Sequence, residues 1–122
     1  GRTSDVKPLG QPPDGEWSYS YGPFKYGKAT FKFTGGGKVS GQAESTPVRS
    51  GDHGGEITQG GWTCAGKGKP TKIWWHTKAA TGVICIQEAE AQINPGQNVT
   101  MQGTCKTGNE TMKLAGKSSS PA

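Results

Sequence analysis

Glycine constrains this chain more than any other residue type, because 21 of the 122 residues are glycine. An interior glycine costs a helix about 1 kcal/mol relative to alanine, so a helical fold is disfavoured. The glycines have no three-residue period and cluster between short segments in which apolar and polar residues alternate. This distribution excludes a collagen-like chain and indicates strands joined by tight turns. We therefore expect an all-β protein.

The alternating segments are short and recur at the spacing of a β-sandwich or a β-barrel. In "EWSYSY" (16–21) aromatic residues alternate with small or acidic ones, and "KATFKFT" (28–34) separates apolar from polar side chains in the same way. The glycines of "GGGK" (35–38) predict a hairpin between 28–34 and "KVSGQAES" (38–45). The pattern predicts one small antiparallel β-sandwich or β-barrel of about eight short strands with glycine-rich turns. It leaves the choice between the two architectures open.

The chain is short enough to form a single domain, and we place its strands within residues 16–115. Residues 1–15 are polar and rich in proline and glycine, so we expect a flexible lead-in. Residues 116–122, "GKSSSPA", are expected to form a flexible tail. No stretch is apolar enough to cross a membrane, and we expect no membrane insertion.

The segments on either side of "NPG" (94–96) allow a prediction of strand register. A three-residue loop with its glycine in the left-handed conformation would place Ala91 opposite Val99, and Cys85 opposite Cys105. The apolar residues of both strands would then share one face, whereas a shift of one residue would bury glutamate. Directly opposed residues are close enough for a disulfide, so we predict one between Cys85 and Cys105.

The cysteines and two glycosylation sequons indicate in which cellular compartment the protein folds. With the predicted disulfide in place, Cys64 would be free or would join two chains in a dimer, and a Cys64–Cys105 pairing is the competing arrangement. Cysteines in a small domain with a thin core suit an oxidising compartment. Asn98 and Asn109 each begin an Asn-x-Thr sequon, which makes them candidate glycosylation sites. We expect the protein to be secreted or extracellular.

Two adjacent tryptophans in "TKIWWHTK" (71–78) raise the question of which one enters the core. Successive side chains of a strand point to opposite faces, so the two rings separate. Trp75, in phase with the preceding isoleucine, is the core candidate, and Trp74 faces outward. We expect Trp17 and Trp62 to be core residues as well.

The outward side of this segment carries cations beside Trp74, and lysines also line the polar side of 28–34. If these outward sides lie on one sheet, the surface presents an aromatic ring among cations, which suits a glycan or a protein partner. The competing interpretation is that Trp74 is packed beneath a loop. The candidate ligand-binding residues are Trp74, His76, Lys72, Lys78, Lys28 and Lys32.

A basic, oligonucleotide-binding type of barrel for single-stranded nucleic acid is one alternative, because the net charge is +5 and lysines accompany the aromatic residues. The chain has only two arginines, Arg2 and Arg49, and arginine is the side chain that best recognises phosphate. The sequons and cysteines also count against a nucleic-acid partner. We therefore rank this alternative below a glycan or protein ligand.

A small secreted hydrolase is the second alternative. "DHGGE" (52–56) places His53 between acidic residues on a predicted loop, where catalytic groups often lie. Glu88 and Glu90 share one side of a strand about 7 Å apart, a separation seen for glycosidase carboxylates. No metal, cofactor or nucleophile motif is present, and we expect no cofactor. We favour a binding module or effector-like protein over an enzyme.

Overall fold

The structure is a computed structural model that describes residues 8–22, 25–46, 55–79 and 82–122. Eight strands lie within these residues, each antiparallel to the next, and β8 pairs with β1 to close a barrel. The all-β prediction is confirmed, and the architecture is a barrel rather than a sandwich. The strands are β1 (Gly15–Tyr21), β2 (Lys25–Phe33), β3 (Val39–Thr46), β4 (Gly55–Cys64), β5 (Thr71–Lys78), β6 (Ile84–Ala91), β7 (Asn98–Thr107) and β8 (Glu110–Pro121).

The barrel interior is filled by inward-facing side chains, to which every strand contributes. Trp17 and Trp75 are fully buried, and Phe31 contacts both, with ring centroids 5.9 Å and 4.9 Å apart. Trp62 is buried as well. The three predicted core tryptophans are therefore confirmed. Alternation was a reliable guide here because each strand of a closed barrel has one inner and one outer face.

One strand is longer than its sequence pattern suggested. β4 joins a short segment around Ile57 to "GWTC" (61–64), because a bulge between Ile57 and Gln59 shifts the register. Ile57 and Trp62 are an odd number of residues apart, so a regular strand would point them to opposite faces. The extra residue of the bulge allows both side chains to be buried.

The turn between β6 and β7 forms around proline and glycine, but the register differs from the prediction by two residues. The N–H of Gln97 donates to the carbonyl of Asn94 (3.1 Å), and Gly96 has a φ of 78°, as a type II turn requires. Ala91 lies opposite Met101. A shift of two residues keeps the same side chains inward, so the predicted faces hold while the opposed pairs change.

The predicted disulfide between Cys85 and Cys105 is wrong. Cys85 lies opposite Thr107 and Cys105 lies opposite Gln87, so the two cysteines are diagonal neighbours instead of a direct pair. Both thiols lie in the barrel interior, but no two of the three cysteines are at disulfide distance. The error came from the assumed loop length, which set the register.

The two ends of the barrel are built differently. Residues 8–14 lie across the end at which the odd-numbered strands begin, which we call the plugged end. There the side-chain nitrogen of Gln11 donates to the carbonyl of Phe33 (3.0 Å), the N–H of Phe33 donates to Asp14 (2.7 Å), and Pro12 is buried. We call the opposite end, at which the odd-numbered strands finish, the polar end.

β8 runs to Pro121, beyond residue 115, where we expected the folded domain to end. The N–H of Ala122 donates to the carbonyl of Gln97, and the N–H of Gly96 donates to the carbonyl of Ala122, both at 2.9 Å. The final residues therefore complete the barrel wall at the plugged end.

Candidate functional site

Trp74 is one of four large hydrophobic residues that are exposed in the described part of the chain. Along β5 the burial alternates, so Trp75 is fully buried while Trp74 is 37% exposed. The indole lies over Gly61 of β4, where a Cβ atom would be only 2.8 Å from Nε1 of Trp74. The ring of His76 meets the indole edge-on, with ring centroids 5.3 Å apart. Glycine on one side and histidine on the other hold the ring in place and leave part of it accessible.

A groove beside Trp74 runs across the outer faces of β4 to β7. Glu88 lies directly opposite Trp74 on β6, and Glu90 lies opposite Lys72. The cavity has a volume of about 520 Å³. We call it the Trp74 groove, and its outward-facing lining residues are Thr63, Lys72, Trp74, Glu88, Glu90, Gln102 and Thr104. It thus combines one aromatic ring with carboxylates, an amide, hydroxyls and one ammonium group.

Sequence reasoning named the tryptophan but missed most of its neighbours. The glutamates were considered only as a carboxylate pair, because no pattern within β6 shows which strand lies beside it. Gln102 carried no signal at all. Antiparallel pairing of consecutive segments, together with the correct register, would have placed the glutamates and Gln102 beside Trp74.

The structure separates the six predicted ligand-binding residues into two groups. Lys72, Trp74, His76 and Lys78 share the outer side of β5, with His76 half-buried and both lysines exposed. The other two, Lys28 and Lys32, are exposed on β2, with β3 and β4 between them and β5. Because the barrel wall curves through these strands, the six residues do not form one cationic face.

A second groove lies around Tyr26, which the sequence analysis passed over because it adjoins a turn. The ring is 57% exposed on β2. This Tyr26 groove is lined by apolar surface of Gly27 and Gly116 and by the side chains of Lys28 and Lys117, among others. Lys28 also lies 3.8 Å from Glu16, an exposed ion pair of little energetic weight. The groove is more apolar and more basic than the one at Trp74.

The two grooves are connected by a lateral row of outward residues, each paired with the next across adjacent strands. Neighbouring strands lie about 4.8 Å apart, so the row covers about 24 Å of the wall. Its members are Lys72, Glu90, Gln102, Ala115, Ser20 and Tyr26. The row crosses six of the eight strands and follows the curve of the wall, so a flexible ligand that wraps along it would meet an aromatic ring near each end.

The remaining predicted sites are only partly covered by the structure. Glu56 is exposed on β4, whereas Asp52 and His53 lie outside the described residues. Within the described ranges, no three His, Cys, Asp or Glu side chains are grouped so that they could hold a metal ion. A hydrolase centred on His53 therefore stays a prediction.

The sequon asparagines are both exposed. Asn109 lies in the turn between β7 and β8, and the side-chain nitrogen of Asn98 donates to the carbonyl of Ser118 (3.2 Å). Cys64 is half-buried at the plugged end, with its sulfur 3.4 Å from the carbonyl oxygen of Gly66. Glycosylation and a Cys64-linked dimer remain predictions.

The fold and the grooves define a closed, eight-stranded antiparallel barrel with aromatic surface sites on its wall. The chain matches no protein-family model, no curated protein and no solved structure. The described residues include no helix that is both long and apolar enough to span a membrane.

Proposed function

We propose that this protein is a secreted glycan-binding module whose ligand stacks on Trp74. The observation that carries the proposal is the partly exposed indole, fixed over Gly61 and bordered by Glu88, Glu90 and Gln102. The C–H groups of a sugar ring pack on the electron-rich face of an indole. The carboxylates beside the ring accept hydrogen bonds from sugar hydroxyls, and the amide can both accept and donate them.

The charges in the groove favour a neutral or amino sugar over a polyanion. Glu88 and Glu90 would repel phosphate or sulfate, and the one lysine in the groove lies opposite Glu90. A single-stranded nucleic acid would need a wall of unopposed cations along its backbone. The net charge of +5 can assist encounter with anionic surfaces, but it is not concentrated at Trp74.

The row that joins the two grooves favours an oligosaccharide over a single sugar. A flexible chain that follows the curved wall for about 24 Å, across six of the eight strands, would reach from the Trp74 groove to Tyr26. We therefore expect affinity to rise with the number of sugar units until the ligand covers both rings. An extracellular location agrees with the two sequons, Asn98 and Asn109.

The test is binding of the purified chain to an array of neutral and amino-sugar oligosaccharides, followed by titration of the best ligand. Trp74→Ala should lower the affinity at least tenfold and move the melting temperature by only a few degrees, because the ring lies on the outer wall. Tyr26→Ala should weaken only the longer ligands. Undiminished binding by Trp74→Ala, or binding confined to nucleic acid with a steep salt dependence, would remove the proposal.

A second variant tests whether binding depends on where the Trp74 indole lies, and not only on whether the indole is present. Gly61→Ala keeps the indole but places a methyl group where the ring now lies, 2.8 Å from Nε1. We expect an intermediate loss of affinity, and Gly36→Ala, in an exposed turn where the nearest atom to the new Cβ would be 4.0 Å away, should leave the affinity unchanged. If both glycine-to-alanine changes alter the affinity equally, the placement of the indole over Gly61 has no role in binding.

A glycosidase is the second candidate, because the groove places Trp74 beside the paired carboxylates of Glu88 and Glu90. Their spacing along the strand, about 7 Å, falls in the range of enzymes that invert the anomeric centre. Release of reducing sugar from the array's best ligand, abolished in Glu88→Gln or Glu90→Gln, would establish catalysis. Binding without turnover would restrict the groove to recognition.

A further inference from the structure

A third groove lies on the barrel wall beside the Trp74 groove, across the outer faces of β6, β7 and β8. Its cavity has a volume of about 770 Å³, which is typical of sites for small molecules. Glu90 and Gln102 line both this groove and the Trp74 groove, while Ala115 also lines the Tyr26 groove. The three grooves therefore adjoin one another, and we call the middle one the Gln102 groove.

Small residues form the floor of the Gln102 groove. Gly103 lies opposite buried Ala89, and a Cβ atom at Gly103 would collide with the backbone of Glu88 and Ala89. β7 therefore approaches β6 more closely at this point than a residue with a side chain would allow. On β8 the groove passes over Ala115, whose side chain is a single methyl group. Backbone and a methyl group thus form the floor, and longer polar side chains surround it.

Three outward residues of adjacent strands form a row in this groove. Glu90 lies directly opposite Gln102, and Gln102 lies directly opposite Ala115. The row presents, in this order, a carboxylate acceptor, an amide that both donates and accepts, and a methyl group. Among the described residues, the side chains of Glu90 and Gln102 form no hydrogen bond or ion pair with another protein group, so their polar atoms are available to a ligand.

The Gln102 groove and the Trp74 groove together have no net formal charge. The charged residues that line them are two glutamates and two lysines, namely Glu88, Glu90, Lys72 and Lys113. A free amino group in the Gln102 groove would be repelled by the ammonium group of Lys113, and a carboxylate would be repelled by Glu90. A neutral substituent avoids both repulsions. This charge balance favours a neutral sugar over the charged amino sugar that the Trp74 groove alone would admit.

We propose that the Gln102 groove binds the N-acetyl group of an N-acetylated sugar. The inference rests on the proposed stacking of a glycan on Trp74 and narrows that glycan to an N-acetylated oligosaccharide. The N–H, carbonyl and methyl of an acetamido group follow the same order as the row. The N–H donates to the Glu90 carboxylate, the carbonyl oxygen accepts a hydrogen bond from the side-chain nitrogen of Gln102, and the methyl group packs against Ala115.

The distance between the two grooves sets which sugar unit carries the N-acetyl group. Gln102 is on β7, two strands from Trp74 on β5, and two strand spacings amount to about 10 Å of wall. The N-acetyl group in the Gln102 groove therefore belongs to the unit next to the one that stacks on Trp74. The ligand has at least two sugar units.

Three tetramers of β-1,4-linked sugars that differ only at the 2-position test this assignment by isothermal titration calorimetry: those of N-acetylglucosamine, glucosamine and glucose. The N-acetylglucosamine tetramer should bind at least tenfold more tightly than either of the others. Gln102→Ala should remove most of this preference. Gln42→Ala, which truncates an exposed glutamine on β3 outside these grooves, is the matched control and should leave the preference unchanged.

Nuclear Overhauser contacts give a readout that does not depend on affinity. The acetyl methyl protons of the bound N-acetylglucosamine tetramer should show a contact with the methyl group of Ala115. Ala115→Leu places a larger side chain on the floor and should weaken binding of this tetramer more than binding of the glucose tetramer. The melting temperature of each variant shows that it is folded.

The outcomes separate this assignment from the proposed stacking on Trp74. Equal or tighter binding of the glucose or glucosamine tetramer, or a bound N-acetylglucosamine tetramer without the contact at Ala115, would overturn the assignment of the Gln102 groove and leave the stacking intact. If none of the three tetramers binds, the assignment is wrong, and the glycan array decides separately whether Trp74 holds another sugar. Binding that Trp74→Ala does not weaken would instead overturn the stacking.

Discussion

The two ends of the barrel both bury tryptophan and threonine side chains, but they differ in whether the polar atoms of those side chains are hydrogen-bonded. At the plugged end, residues 8–14 provide backbone carbonyls for Trp17 and Thr71. Towards the polar end, Trp75 and Thr77 are equally buried, and among the described residues Trp75 Nε1 and Thr77 Oγ1 have no such partners. Since an unpaired buried donor costs about 1–3 kcal/mol, we expect the polar end to be the less stable half of the core. The difference can be measured by making the same substitution at both ends.

The largest difference is expected for the buried tryptophans. Trp17→Phe removes ring volume and also leaves the carbonyl of Pro13 without its donor, so the free energy of unfolding should fall by about 3 kcal/mol. Trp75→Phe removes the same volume but breaks no hydrogen bond, and the fall should be about 1–2 kcal/mol smaller. Denaturant titration followed by circular dichroism measures both. Equal losses would show that the Trp75 N–H is paired in solution.

The second effect concerns alkaline pH. Burial raises the pKa of Tyr19 above its unfolded value of 10.0, so above that pH the unfolded chain loses a proton that the folded chain keeps. The contribution of Tyr19 is therefore fully present below pH 10 and is lost as the pH rises, at about 1.4 kcal/mol per pH unit. Tyr19→Phe should flatten this slope.

Tyr26→Phe is the matched control, because it removes a tyrosine hydroxyl from the outer wall. Its stability should fall with pH between 10 and 11 as steeply as that of the unchanged protein. Urea titrations at successive pH values give the slopes. If Tyr19→Phe and Tyr26→Phe have identical slopes, the Tyr19 hydroxyl is solvated, and the polar end is wetter than its burial indicates.

The faces of the strands could be predicted from the sequence, whereas their neighbours could not. Alternation in β5 assigned Trp75 inward and Trp74 outward correctly, because a side-chain period of two follows from strand geometry alone. The disulfide failed because a two-residue error in register preserves that alternation and so leaves no trace in the pattern. The Trp74 groove depends on register across β4 to β7, which is why Glu88 was not linked to it.

The two ends could not be distinguished from the sequence for a related reason. Residues 8–14 contain proline and glycine, which typify a flexible segment, and their contacts with the barrel are long-range. Gln11 and Phe33 are far apart in the chain, and no local periodicity links them. Only closure of the barrel brings the lead-in over one end and makes the other end distinct.

A smaller effect is expected for the two inward threonines of β5. Thr71→Val leaves the carbonyl of Gly10 unpaired and should lower the free energy of unfolding by about 1–2 kcal/mol. Thr77→Val exchanges an unpaired hydroxyl for a methyl group of the same shape and should raise it by about 1 kcal/mol. Thermal and urea unfolding give the sign directly. Destabilisation by Thr77→Val equal to that of Thr71→Val would remove the contrast between the ends.

The smallest effect should come from a reductant. Loss of a native disulfide from a small domain typically costs 2–5 kcal/mol, but Cys85 and Cys105 are diagonal neighbours in the polar interior, and no pair of cysteines is at bonding distance. The melting temperature should therefore be the same with and without dithiothreitol, and alkylation of the native protein should reach half-buried Cys64 before the other two. A fall of several degrees on reduction would mean that the strands adopt the register in which Cys85 faces Cys105. That register would move Gln87 away from Cys105 and rebuild the polar end, so this measurement checks the geometry on which the comparison of the two ends depends.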